Sequence, residues 1–417
     1  MRASAHGKVI LFGEHAVVYG IPALAVGIDR GARAEARPAS GPNGVSSLRV
    51  RGWDVTILDQ CELHASSSDA GVTGRSDENT PAPNAVGSGV HDPRPLIRAF
   101  RDVIAVTRRE QVAAGQEPVG AVFVDAESDL PPGAGVGCSA ALGVAVARAL
   151  DPLAEPHVIA RRVHAWESVF HGNPSGIDAA VSAIGGCIWY RRGQGAPSVE
   201  QPSQVSSDAP SHRDGIVESQ GDDKARAAHL EPVRLRKELV LCIGHSGRAS
   251  STKTMVQAVA HLRERRPEMA EQTFAAIETL VKNARLALEA HDLVAVGQLL
   301  DLNQMLLAGL LLSTPEIEQL CGSARASGAL GAKLTGAGGG GCVVALVDSE
   351  ATGHAVVEAW KREGFDGFLT TVRPPGPRSL ASETSRERLS VDSARSDDGD
   401  VRAESEQHSY AARAEAS

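Results

Sequence analysis

The apolar positions of the chain alternate between short uninterrupted runs and longer stretches spaced three or four apart. The short runs "KVILFG" from Lys8, "ALAVGID" from Ala23, "GAVFVDAES" from Gly120 and "ELVLCIGH" from Glu238 predict strands. "SLRVRGWDVTILD" from Ser47 predicts a further strand pair. Helical spacing marks "PLIRAFRDVIAV", where Leu96, Ile97, Phe100, Val103 and Ile104 share one side, and "HVIARRVHAWESVF" from His157. "DAAVSAIGGCIWY" leads into another strand. From Thr252 to about Ala326 the pattern is helical, with breaks near Pro267, His291 and Pro315.

Between these segments lie polar stretches without periodicity. Residues 65–93 are rich in Ser, Gly, Pro and Asp and predict a mobile loop. Residues 191–230 predict a disordered insertion, and 373–417 a disordered tail. These boundaries divide the chain into an N-terminal domain over 1–190 and a C-terminal domain over 231–372.

Two glycine turns interrupt the pattern. In "DLPPGAGVGCSAALGVAVARAL" a strand is followed by prolines, glycines and then a run in which, from Ser139 to Leu150, only Arg148 is charged. Such a helix is built for burial, and its first amides are free to meet an anion. The turn lacks the GK[ST] of a P-loop, and Cys138 stands where a dinucleotide fingerprint would place its third glycine. Phosphate binding and a tight strand–helix turn both remain open. The second turn, "LTGAGGGGC", sets five glycines among the six residues Gly336 to Gly341, just before a strand. That density is costly in chain entropy and favours backbone that lines a ligand.

Three further features carry chemistry or packing. "HGNPSGIDAAVS" places Asp178 after a turn, either as a helix cap or as a general base or metal ligand. His164, Glu167 and His171 share roughly one helix face and could in principle hold a metal, although the Gly172-Asn173-Pro174 turn ends that helix. Lys8, at the start of an apolar strand, either snorkels or is a placed cation.

Composition narrows the classes. Aromatics are only 3 %, so the cores are built from Ala, Val, Leu and Ile. The net charge of −9 argues against a nucleic-acid binder that depends on a broad basic surface. The six cysteines are scattered without metal-ligand spacing and fit reduced thiols of a cytoplasmic protein. The first residues lack a signal-peptide pattern, and no apolar run reaches membrane-spanning length.

Taken together, "GKVILFGEHAVVYG", "DLPPGAGVGCSAA", "HGNPSGIDAAVS" and "KLTGAGGGGC" resemble the ordered signature motifs of the GHMP kinases. The first and third are similar above all to the mevalonate kinase family, as are "SSTKTMVQAV" and "LDLNQMLLAGL". The resemblance runs from about Gly7 to Val347, apart from the two polar insertions. It implies an α+β fold with an N-terminal domain like ribosomal protein S5 domain 2 and a ferredoxin-like C-terminal domain. ATP, Mg²⁺ and a small alcohol, mevalonate, would lie between them, in a protein that is often a homodimer.

By position, Pro132, Gly133, Ala134, Gly135, Val136, Gly137, Cys138, Ser139 and Ala140 would wrap the ATP phosphates. Ser139 and Glu167 would ligate Mg²⁺. Asp178 would be the catalytic base, with Lys8 beside it to offset the developing alkoxide. Glu14, His15, Thr252, Gly336 and Ala337 would hold the substrate, with Ser251 next to Thr252, and Trp53 is a candidate adenine contact. Cys138 departs from the family's Ser-Ser pair. A weaker donor there implies a modest loss of ATP affinity, and its place at a helix start implies a thiol of lowered pKa open to oxidation. Rival readings are a kinase for a sugar or phosphomevalonate, a non-catalytic sensor on the same scaffold, and a metal-dependent hydrolase.

Overall fold

The computed structural model describes residues 2–39, 45–51, 55–58, 94–131, 134–171, 174–192 and 229–374. The 65–93 loop, positions 193–228 of the polar insertion and 375–417 of the tail lie outside the described residues. So do Trp53, Pro132 and Gly133, and the side chain of His171.

Strand β1 (Arg2–Phe12) is buried at every position from Gly7 onward, which matches its continuous apolar run. It pairs antiparallel with β2 (Ala23–Pro38), whose 16 residues are long enough to serve three neighbours. β3 (Ser47–Arg51) and β4 (Val55–Leu58) form the expected hairpin. β5 (Val122–Ser128) joins β2 on one side and β3, in parallel, on the other. β6 (Cys187–Arg191) pairs with the start of β2, and β7 (His229–Val233) pairs with β6. The sheet therefore runs β4-β3-β5-β2-β6-β7, with β1 also on β2.

Four helices pack around this sheet: α1 (Arg94–Ala113), α2 (Cys138–Leu150), α3 (Pro156–His171) and α4 (Ile177–Ile184). α2 lies against β1 and β2 and is buried at all positions except Ser139 and Arg148. Arg148 donates to the carbonyls of Ser4 and Ala183, so its charge reaches backbone acceptors at the edge of the core. A Cβ at Gly143 would come within 2.8 Å of the Trp166 ring, so glycine is what lets α3 close on α2.

The second sheet is antiparallel throughout, in the order β11-β8-β10-β9. Its strands are β8 (Leu239–His245), β9 (Gly331–Thr335), β10 (Cys342–Val347) and β11 (Asp366–Val372). The helical stretch resolves into α5 (Thr252–Arg265), α6 (Pro267–Ala290), α7 (Leu293–Gly309) and α8 (Pro315–Ala326). They break at Pro267, His291 and Pro315 as the pattern predicts. α9 (Glu350–Arg362) follows β10. α7 and α8 pack on β9, and α9 on β8 and β11. The two sheets belong to one compact unit.

Arg191, His229 and Leu230, read from sequence as part of the polar insertion, are strand residues that extend the first sheet. α9 and β11 had no predicted element in the apolar pattern. Among the described residues, Cys138, Cys187, Cys242, Cys321 and Cys342 are free and buried. No helix among them is long and apolar enough to cross a membrane.

Candidate active site

The first glycine turn is laid directly on β1. The Lys8 amide donates to the Val136 carbonyl at 2.9 Å. Gly137, at φ 77°, precedes α2 so closely that a Cβ there would sit 3.1 Å from the Lys8 side chain. Only glycine meets both the positive φ and the space. No side chain caps α2, which leaves its first-turn amides available to an anion.

Lys8 Nζ lies 2.9 Å from Asp178 Oδ1, with the lysine side chain 4 % exposed and the aspartate 30 %. Asp178 stands in the first turn of α4. The cap position there belongs to Gly176, and no side-chain cap bond forms, so the capping reading of Asp178 fails. Tyr190 donates its hydroxyl to the Ser175 carbonyl and holds the turn that launches α4.

Glu167 is delivered to the same corner by α3, next to the Trp166 that seals against Gly143. Burial pushes its carboxyl up to about 8, and the charge of Asp178 pushes the same way, while Ser139 and Lys8 draw it back. Although Ser139 is near enough to act on it, Ser139 Oγ and Glu167 Oε1 are both buried without a hydrogen-bond partner. An unpartnered hydroxyl oxygen and an unpartnered carboxylate oxygen in one buried corner are donors of the kind a hard cation takes.

The second glycine turn faces the first. Cβ atoms on Gly336 and Gly341 would lie 3.4 Å from the carbonyls of Gly135 and Ala134. Ser246 and Arg248 take up both backbone groups of Gly341, and the Ser250 hydroxyl donates to the Gly338 carbonyl. Ser251 caps α5 by accepting from the Thr254 amide, and Thr252 is exposed beside it. His15 donates through Nε2 to the Ala337 carbonyl at 2.8 Å, and burial lowers its pKa.

Glu14 differs from its expected place on the substrate. Its carboxylate is enclosed by Lys333 and by Asn303, whose Nδ2 donates at 3.3 Å. Sequence reasoning passed over Lys333 and Asn303. The one available signal was a lysine and an asparagine inside otherwise apolar segments, "KLT" and "LNQ".

Cys138 also departs from expectation. Its thiol is buried against Ser128 Oγ at 3.4 Å and donates to the Leu130 carbonyl at 3.7 Å. Burial raises its pKa rather than lowering it, because desolvation of a thiolate here outweighs the helix start. The thiol is accordingly expected to react only slowly with iodoacetamide in the folded protein, as followed by mass spectrometry. Rapid native labelling would contradict this placement. Of the His164, Glu167, His171 set, the His171 side chain lies outside the described residues, and no group of three His, Cys, Asp or Glu side chains that could hold a metal occurs among those described. His164 is exposed and Glu167 buried, so the helix turns them to different environments.

An α+β fold with an anion-receptive helix start, a facing glycine turn and a Lys–Asp pair beneath them defines a small-molecule kinase of the GHMP class. The family profile described as GHMP kinases N terminal domain matches residues 99–186, and GHMP kinases C terminal matches 284–366. The mevalonate kinase of Pyrococcus abyssi is 31 % identical over 387 residues, 90 % of this chain and 96 % of its own length. That of Thermococcus onnurineus is 32 % identical, covering 90 % and 97 %. The crystal structure of L. major mevalonate kinase in complex with R-mevalonate superposes with a TM-score of 0.65 at 26 % identity, covering 90 % and 97 %. The chain belongs to the mevalonate kinase family of the GHMP kinases.

Proposed function

We propose that this enzyme transfers the terminal phosphoryl group of ATP to the primary hydroxyl of mevalonate, giving 5-phosphomevalonate for isoprenoid synthesis. The observation that carries the reading is the Lys8–Asp178 pair at 2.9 Å, set directly under the Val136–Gly137 turn. Such a pair would serve the attacking hydroxyl beside a loop that would hold the transferred group, and the relatives in this family are named mevalonate kinase.

Asp178 accepts the proton of the acceptor hydroxyl as that oxygen bonds to the terminal phosphorus and the bond to ADP breaks. Lys8 offsets the charge growing on the acceptor oxygen. Backbone N–H groups from Ala134 to Ala140 hold the phosphates. Ser139 and Glu167 would hold Mg²⁺, which neutralises phosphate charge when bound. Their unpartnered buried oxygens fit that role. The Gly336–Ala337 backbone, with His15 bonded to it, and Thr252 would hold the acceptor. Free, buried thiols support a cytoplasmic setting.

An ADP-release assay over mevalonate, phosphomevalonate and galactose tests the substrate. Turnover of mevalonate is expected, and turnover of a sugar with none of mevalonate would end this reading. Glu167→Gln is expected to raise the Mg²⁺ concentration for half-maximal rate by about tenfold or more, since it removes one of few protein ligands. A magnesium titration unchanged from wild type would remove Glu167 from the metal.

A further inference from the structure

The contact between Glu14 and Lys333 joins residues 319 apart in sequence, and both side chains are 0 % exposed. Burial pushes the Glu14 carboxyl up and the Lys333 ammonium down, against their mutual attraction. A pair buried this deeply is weak evidence for stability, because well-packed apolar residues often do as well. The best-attested use of such a pair is to fix register, selecting one arrangement over its neighbours.

The surroundings show which arrangement is selected. β1 ends at Phe12, so the Gly13-Glu14-His15 turn has left the sheet, and His15 stands at φ 58° with its ring on Ala337. β9 is the edge of its own sheet, and α7 takes up its outer amides. Asp301 Oδ1 accepts from the Ala332 amide at 3.0 Å and Gln304 Oε1 from the Leu334 amide at 2.8 Å. Between them Asn303 reaches Glu14. The segment "LDLNQMLLAGL" is thus a splint along β9, and Lys333 links that splinted strand to the turn carrying His15. Thr335 separately pins β9 to β1 by two bonds with Ile10, each 3.0 Å.

We infer that Lys333 is a positioning residue for the acceptor side of the site: by clamping Glu14 it fixes the His15 turn against the Gly336–Ala337 loop. This rests on the proposed reaction for the identity of the acceptor. The phosphate loop hangs on Lys8 and stays supported through Thr335, so nucleotide binding is independent of the clamp.

Lys333→Met alone strands a buried carboxylate, so the informative variant is Glu14→Leu with Lys333→Met, which removes both charges. It is expected to fold, with KM for mevalonate raised about tenfold or more and KM for ATP within about twofold of wild type. Amide exchange at 13–20 and 336–341 is expected to accelerate by about tenfold, with 142–150 unchanged. An unchanged KM for mevalonate, or a parallel rise in both KM values, overturns the inference. Should the double variant be insoluble, Glu14→Gln carries the test. It keeps an acceptor for Lys333, and a rise of about threefold in KM for mevalonate alone is expected, with no rise or a parallel rise overturning the inference. If wild type turns over no mevalonate, the functional reading has failed, and the exchange comparison decides the clamp by itself: unchanged protection at both segments overturns it.

Discussion

Asp178→Asn lowers kcat by about three orders of magnitude or more, while ATP binding measured by calorimetry stays within about threefold of wild type. The amide is close to isosteric with the carboxylate and can still accept from Lys8, so α4 and the turn before it keep their places. Two things are lost. The acceptor proton no longer has a base within the site, and the negative charge opposite Lys8 disappears. General-base removal alone costs about 10²–10⁴, and loss of electrostatic complementarity adds to it. Nucleotide binding survives because the phosphate loop is built on Lys8's backbone and on Gly137, not on the aspartate. Turnover near wild type in this variant would remove Asp178 from the chemistry, and a matching collapse of ATP binding would make its role structural.

How much of this was visible in the sequence depends on the range of the forces involved. The strands from Lys8, Ala23 and Glu238, the hairpin from Ser47 and the four-helix run from Thr252 follow from periodicity, because burial of one face is a local pattern. Both glycine turns were legible for the same reason, since positive φ has a compositional signature. β7 was not. "HLEPV" has one fully buried residue and a proline, and it is a strand because β6 offers an unpaired edge and Arg285 reaches Glu231 at 2.6 Å. The readings of Asp178, as cap or as base or metal ligand, could not be separated locally, because its partner Lys8 comes from the distant strand β1. Glu14 was placed on the substrate only because the motif "GKVILFGEHAVVYG" resembles that of the mevalonate kinase family. The side chain that claims it sits in β9 of the other sheet, and no spacing within either segment records that contact. Cys138 was misjudged in sign, since the sequence shows a helix start but not the Ser128 and Leu130 groups that enclose the thiol.

Gly331→Ala is expected to be the most damaging single methyl in the C-terminal half. A Cβ at Gly331 would lie 2.0 Å from the Gly297 carbonyl oxygen, and one at Gly297 would lie 2.3 Å from that of Leu330. Here α7 meets β9 backbone to backbone, and neither wall can change rotamer to make room. The helix must move off the strand by an ångström or more, and the bonds from Asp301, Gln304 and Asn303 are then stretched together. Overpacking costs about 1–3 kcal/mol even where side chains can yield, and each buried amide left unpaired costs about 1–3 kcal/mol more. Against a total stability of about 5–15 kcal/mol, that sum is enough to send most of the protein to the insoluble fraction or to lower its melting temperature by about 10 °C or more. The control is Gly322→Ala, in the interior of α8, where a Cβ meets nothing within 4 Å. There the lost glycine entropy is a gain of about 0.5–1 kcal/mol, so the two variants should shift the melting temperature in opposite directions. If Gly331→Ala melts like wild type beside a stabilised Gly322→Ala, α7 does not rest on β9 at this distance, and the splint that positions Lys333 loses its foundation.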